Sequence, residues 1–92
     1  MTFVVDEREM DGGAVMVRGD LRTRGRVYSV ARMVPRQEVV AGATPRARDD
    51  IWRRLKKTAD AIGWLRRPET APRGVSQDDL RRAIGVDAET VV

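Results

Sequence analysis

The sequence contains no cysteine and no histidine. The first absence removes disulfides as a source of stability and fits a reducing compartment. Together the two remove the commonest general base and the softest metal ligands. Aromatics are scarce as well: Phe3, Tyr28, Trp52 and Trp64 are all there is. Long apolar runs are missing. Phe3, Val4 and Val5 give way at once to Asp6, Glu7, Arg8 and Glu9, which is unlike a signal peptide, and no stretch approaches a membrane span. A cytoplasmic protein that does not enter the membrane is expected. Trp52 and Trp64 beside Lys and Arg resemble an interfacial helix, but that helix is needed to cover a sheet.

Catalytic patterns are missing too. Ser29 and Ser76 are the two serines, and neither stands in a nucleophile elbow. Asp49-Asp50 and Asp78-Asp79 are adjacent pairs, and neighbours on a helix point in different directions, so neither forms a shared acid–base or metal site. Gly12-Gly13 lacks the Lys and Ser or Thr of a phosphate loop. The expectation is a protein that is no enzyme, with no catalytic residues, no metal and no cofactor.

Positive charge, by contrast, is plentiful. Eighteen Lys and Arg face fourteen Asp and Glu in 92 residues, a net charge of +4. Only Lys56 and Lys57 are lysines, and so strong an arginine bias also arises from a GC-rich genome. Its distribution is more informative. Residues 1–44 carry seven basic and six acidic groups (+1), residues 45–67 eight and three (+5), and residues 68–92 three and five (−2). A local excess of this kind favours an acidic partner: nucleic acid (DNA in the first place), an anionic membrane, or an acidic protein surface.

Ninety-two residues make one domain with a thin core. Its first part, residues 1–34, reads as a three-stranded antiparallel β-meander. The strands are Thr2–Glu7, Ala14–Arg18 and Arg26–Val34. Asp11-Gly12-Gly13 forms one connection; Gly19-Asp20 and Thr23-Arg24-Gly25 bracket the other. Residues 35–44 read as a linker, or as one that carries a fourth short strand at Glu38-Val39-Val40.

A long amphipathic basic helix follows over residues 45–67. Thr44 suits its N-cap, Pro45 its first position, and Asp49-Asp50 the positive end of its dipole. Ile51, Leu55, Ala59 and Ile62 recur at helical spacing. Gly63 or Pro68 ends the helix. Residues 68–75 are a loop, and residues 76–92 hold a short helix, capped by Ser76 and stopped by Gly85, and a tail. The fold class is α+β, with the long helix covering one sheet face.

Three surfaces are candidates for binding. The outer face of the long helix offers Arg46, Arg53, Arg54, Lys56, Lys57, Arg66 and Arg67 to phosphates, or forms an ordinary solvated face. On the sheet, alternation with Phe3, Val5, Val15, Val17, Val27, Ala31 and Met33 inward turns Met16, Arg18, Arg26, Tyr28, Val30 and Arg32 outward. Arg26, Tyr28 and Arg32 would then hold phosphates and stack on a base. A one-residue change of phase reverses this, and with four aromatics available Tyr28 is the better core residue.

The third surface is the C-terminal segment. Ser76-Gln77-Asp78-Asp79-Leu80-Arg81-Arg82-Ala83-Ile84-Gly85-Val86-Asp87-Ala88-Glu89-Thr90-Val91 resembles the helix-turn-helix of bacterial repressors. Gln77 matches the start of the first helix, Leu80 its buried leucine and Gly85 the turn. Val86 and Val91 match apolar positions of the turn and second helix. The resemblance implies DNA binding with that second helix in the major groove. Arg81 departs from the small residue usual at its position, and Asp87 and Glu89 put negative charge where a phosphate approaches.

The residues thus lead to a small nucleic-acid-binding accessory or regulatory protein acting mainly through phosphate contacts. The alternative is a protein-interaction module: a phage- or plasmid-type accessory protein acting on a host factor, or a homo-oligomer. In the latter, Asp78, Asp79, Asp87 and Glu89 would meet the basic helix of a neighbouring copy.

Overall fold

The structure, a computed structural model, describes residues 1–87 and 89–91, with side chains described as far as Ile84. The fold is α+β. Three antiparallel strands, β1 (Thr2–Glu9), β2 (Val15–Thr23) and β3 (Arg26–Val34), are followed by a short helix α1 (Arg36–Val40) and the long helix α2 (Thr44–Arg66). A shorter helix α3 (Gln77–Asp87) and a three-residue strand β4 (Glu89–Val91) complete the order. The sheet runs β1-β2-β3-β4, with β4 antiparallel to β3.

The second strand is nearly twice the length expected. Gly19-Asp20 is not part of a connection; β2 runs through it, and Arg24-Gly25 alone turns the chain, with Thr23 paired to Arg26 and Gly25 at φ +89°. Gly19 is there because α2 lies against it. A Cβ at this position would stand 2.7 Å from Leu55 Cδ1 and would collide with Ile51 Cγ2. The glycine lets the helix settle directly over β2.

This two-residue turn also fixes the phase of β3. Paired residues of β2 and β3 share a face, so Tyr28 lies opposite Leu21, Val30 opposite Gly19 and Val34 opposite Val15. Phe3, Val5, Val15 and Val17 face the helix as expected, but on β3 the inward residues are Tyr28, Val30 and Val34 rather than Val27, Ala31 and Met33. Tyr28 is 5% exposed and belongs to the core.

Residues 36–40 form α1 rather than a strand, and Gly42 follows it with positive φ. In α2, Ala43 takes the N-cap position and Pro45 the first turn; Thr44 is already helical. Gly63 does not stop α2, which continues to Arg66 before Pro68. Ala47, Ile51, Leu55, Thr58, Ala61 and Ile62 are its buried stripe. Leu80 of α3 is buried, Ile84 packs against the core, and α3 lies on α2 and β3. Ser76 caps α3 reciprocally. Its Oγ accepts from the Asp79 N–H at 3.1 Å, and its own N–H donates to Asp79 Oδ2 at 3.2 Å. The Ser76 N–H first, and the Ser76 hydroxyl beside the same carboxyl second, hold Asp79 below the usual carboxylate range. The helix runs through Gly85 to Asp87.

Candidate nucleic-acid interface

Because Ile51 and Leu55 are fixed against Gly19, the opposite side of α2 is fixed toward solvent. Arg46, Arg53 and Lys57 stand at i, i+7 and i+11, within about 40° of one another around the axis and spread over about 16 Å along it. All three are exposed, as are Arg54, Lys56, Arg66 and Arg67. Among the described residues none of these seven forms an ion pair. Asp49 and Asp60 share the exposed side of the helix, so the stripe is a run of cations interrupted by two carboxylates rather than a uniform field.

On the β3 flank of α2 lies an open groove of about 450 Å³, lined by Val30, Ala31, Arg32, Asp50, Ile51, Arg53 and Arg54. Three of the arginines expected from the sequence meet here. Arg32 stands on the helix-facing side of β3 and extends past its edge, where Nη1 donates to Asp50 Oδ2 at 2.9 Å. Asp50 thus neutralises one of the three cations and steers it toward the helix. Eighteen residues separate the pair, and no local pattern announces it.

The other expected residues lie elsewhere. Arg26 is exposed beside the hairpin turn, opposite Thr23. Tyr28 is enclosed by the core and offers no face to a base. Arg66 and Arg67, at the C-terminal end of α2, border a shallow hollow with Met1, Asp60, Trp64 and Thr70.

The outward sheet face also carries arginine, in different circumstances. Arg18 Nε donates to Asp20 Oδ1 at 3.2 Å, the Ser29 hydroxyl donates to the same oxygen at 2.6 Å, and Arg18 Nη2 reaches Ser29 Oγ at 3.4 Å. Burial works to raise the Asp20 pKa, but the hydrogen bonds from Ser29 and Arg18 and the charges of Arg18 and Arg22 outweigh it, and the carboxyl lies below its usual range. No local pattern signals this cluster, because it depends on β2 continuing past Gly19.

In the C-terminal segment, Arg81 lies 3.8 Å from Asp78 and Arg82 4.0 Å from Asp79. Two of the four acidic groups considered for a neighbouring copy therefore have partners on their own helix. Of the second helix implied by the repressor resemblance, Glu89–Val91 are the strand β4, while Ala88 and Val92 lie outside the described residues. Among the described residues no helix is long and apolar enough to cross a membrane. Comparison of the chain with protein-family models, curated proteins and solved structures found no match.

Proposed function

We propose that this protein is a non-enzymatic nucleic-acid-binding accessory or regulatory protein that lays the solvent face of α2 along a DNA phosphate backbone. The observation behind this reading is the stripe of Arg46, Arg53 and Lys57, exposed and without ion-pair partners among the described residues. A cation already held by a carboxylate gains little from a phosphate, because one anion merely replaces another. An unpaired cation releases the phosphate's condensed counterions at no such cost. Duplex DNA offers one charge per roughly 1.7 Å, so a 16 Å run of helix meets phosphates wherever it lies. Such contacts position a protein on DNA without reading bases.

Binding to a labelled mixed-sequence duplex across a salt series tests this. Three neutralised phosphates give a slope of log affinity against log salt of roughly −3. The double variant Arg53→Glu/Lys57→Glu should flatten that slope by about 2 while the circular dichroism spectrum is unchanged. No binding at low salt, or binding indifferent to salt, would remove DNA as the partner.

A further inference from the structure

β1 is an edge strand. Its one neighbour among the described residues is β2, so a row of backbone donors and acceptors along Thr2–Glu9 is open on the other side. Such an edge is a template for another strand unless charge or proline blunts it. The second half is blunted by Asp6, Glu7, Arg8 and Glu9, whereas Phe3-Val4-Val5 is apolar. Above this apolar half, between β1 and α2, runs a groove of about 380 Å³ lined by Val5, Arg48, Asp49 and Trp52. Trp52 lies with its ring centroid 4.8 Å from that of Phe3, yet 46% of it remains exposed.

We propose that this edge pairs with β1 of a second copy of the chain, antiparallel about a two-fold axis at Val4, joining the two sheets into one. The inference stands on the β1 edge and holds whether or not α2 binds DNA. Three features select a second copy.

The first is register. Directly opposed residues share a face, so in an antiparallel self-pairing their numbers add to an even sum. A sum of 8 sets Val4 against Val4, Phe3 against Val5 and Thr2 against Asp6. A sum of 10 sets Phe3 against Glu7 and Val4 against Asp6. Sums of 12 and 14 oppose Asp6 to Asp6 and Glu7 to Glu7. The apolar triplet is therefore complementary to itself in the first register. A sum of 6, with Phe3 against Phe3, pairs only Met1 to Val5 where a sum of 8 pairs Met1 to Glu7, and the charges disfavour the higher sums.

The second feature is space. Gly19 places α2 over β2. In the joined sheet, β2 and its symmetry mate are three strand spacings apart, about 14 Å. Helices in direct contact lie about 8–10 Å apart. The remaining slot of roughly 5 Å needs side chains to fill it. Trp52 of each copy projects from the β1 flank of α2 and fits that need.

The third feature is charge. Trp52 touches Phe3 and borders the same groove as Val5, so it stands level with Val4 and near the axis. Asp49 lies three residues before it and Lys56 four after, both exposed. With the two helices antiparallel, Asp49 of one copy meets Lys56 of the partner subunit, and the pair occurs twice.

Size exclusion with light scattering on the full chain, over a dilution series, tests the proposal. The expected mass is twice 10.3 kDa. Val4→Lys sets two ammonium groups face to face on the axis and should raise the dimer dissociation constant at least about tenfold, with the circular dichroism spectrum unchanged. Asp49→Lys, on the exposed helix surface and harmless to the fold, should weaken the dimer in the same direction. Adding Lys56→Asp should restore it. A wild-type mass of 10.3 kDa at every concentration, a Val4→Lys dimer as tight as wild type, or a charge swap that fails to restore association would each overturn the proposal.

Discussion

Two solvent-facing surfaces of this molecule carry arginine, and they differ in what surrounds the guanidinium groups. On the outer sheet face Arg8, Arg18 and Arg22 stand among Asp6 and Asp20, and Arg18 is committed to Asp20 and Ser29. On α2, Arg46, Arg53 and Lys57 stand in line with no ion pair among the described residues. In so arginine-rich a chain the number of cations on a surface says little. Whether the fold already supplies their counter-charge decides how much a phosphate can add. The same distinction runs along α2 itself, where Arg48 pairs with Glu7 and Arg32 with Asp50 at the sheet edges, while the ridge between them has no ion pair among the described residues.

The largest effect is expected where the sheet's two faces are compared at adjacent positions. Gly19→Val drives a branched side chain into Ile51 and Leu55, which are essentially unexposed, and should cost roughly 3 kcal/mol or prevent folding. Arg18→Val, one residue earlier on the open face, loses a partly exposed ion pair and should cost less than about 1 kcal/mol. Urea titration measures both. Equal losses would mean that α2 does not rest on β2, and the orientation of its basic stripe would lose its foundation.

Next in size is the difference between the two arginine surfaces in binding. Arg53→Glu/Lys57→Glu should lower DNA affinity at least about tenfold at low salt. Arg18→Glu/Arg22→Glu makes the same change in net charge and should lower it by about threefold or less, through the long-range field alone. Filter binding or fluorescence anisotropy at matched salt distinguishes them. Equal losses would show that net charge, rather than the unpaired ridge, governs binding.

The architecture was largely legible because it rests on local signals: β-branched runs, glycine turns, the Pro45 helix start and the Ser76 cap all report on near neighbours. What sequence reading missed in the sheet depends on one turn. Taking Gly19-Asp20 as a connection hid Leu21, whose place in the same alternation as Val15 and Val17 is the sign that β2 continues. With a two-residue turn at Arg24-Gly25, paired numbers in β2 and β3 add to 49, so odd residues of β2 oppose even residues of β3. Tyr28 and Val30 then go inward, as the scarcity of aromatics already favoured for Tyr28, and no Arg-Tyr-Arg surface forms. The basic ridge needed only helical periodicity and was visible from the start. The Arg32–Asp50 contact and the Arg18–Asp20–Ser29 cluster join distant positions and follow only from register.

A smaller effect concerns pH on the compensated face. Asp20 has a lowered pKa in the folded chain, so it contributes stability that is fully present above the ordinary carboxylate pKa of about 3.9. That contribution is lost as pH falls through the lower folded value. Asp20→Asn should therefore cost about 1 kcal/mol near neutral pH, and its difference from wild type should shrink below about pH 4. Urea midpoints at pH 7 and pH 3 check the sign. A gap that widens on acidification would contradict it.

The smallest effect is expected at the start of α3, where compensation is local and exposed. Ser76→Ala removes the hydroxyl that accepts from the Asp79 N–H and leaves the Asp79 carboxylate with the backbone N–H of residue 76 and the exposed Arg82. The loss should lower the thermal midpoint by roughly 5 °C. Ser76→Asp restores an acceptor at the cap but sets it beside Asp79, so its midpoint should fall between the two. Since the Ser76 cap bonds Asp79 and touches none of Arg46, Arg53 and Lys57 by hydrogen bond, DNA affinity and salt slope should be unchanged in both variants below their midpoints. A change in either would tie the C-terminal segment to the binding surface and return weight to the repressor-like motif in residues 76–92.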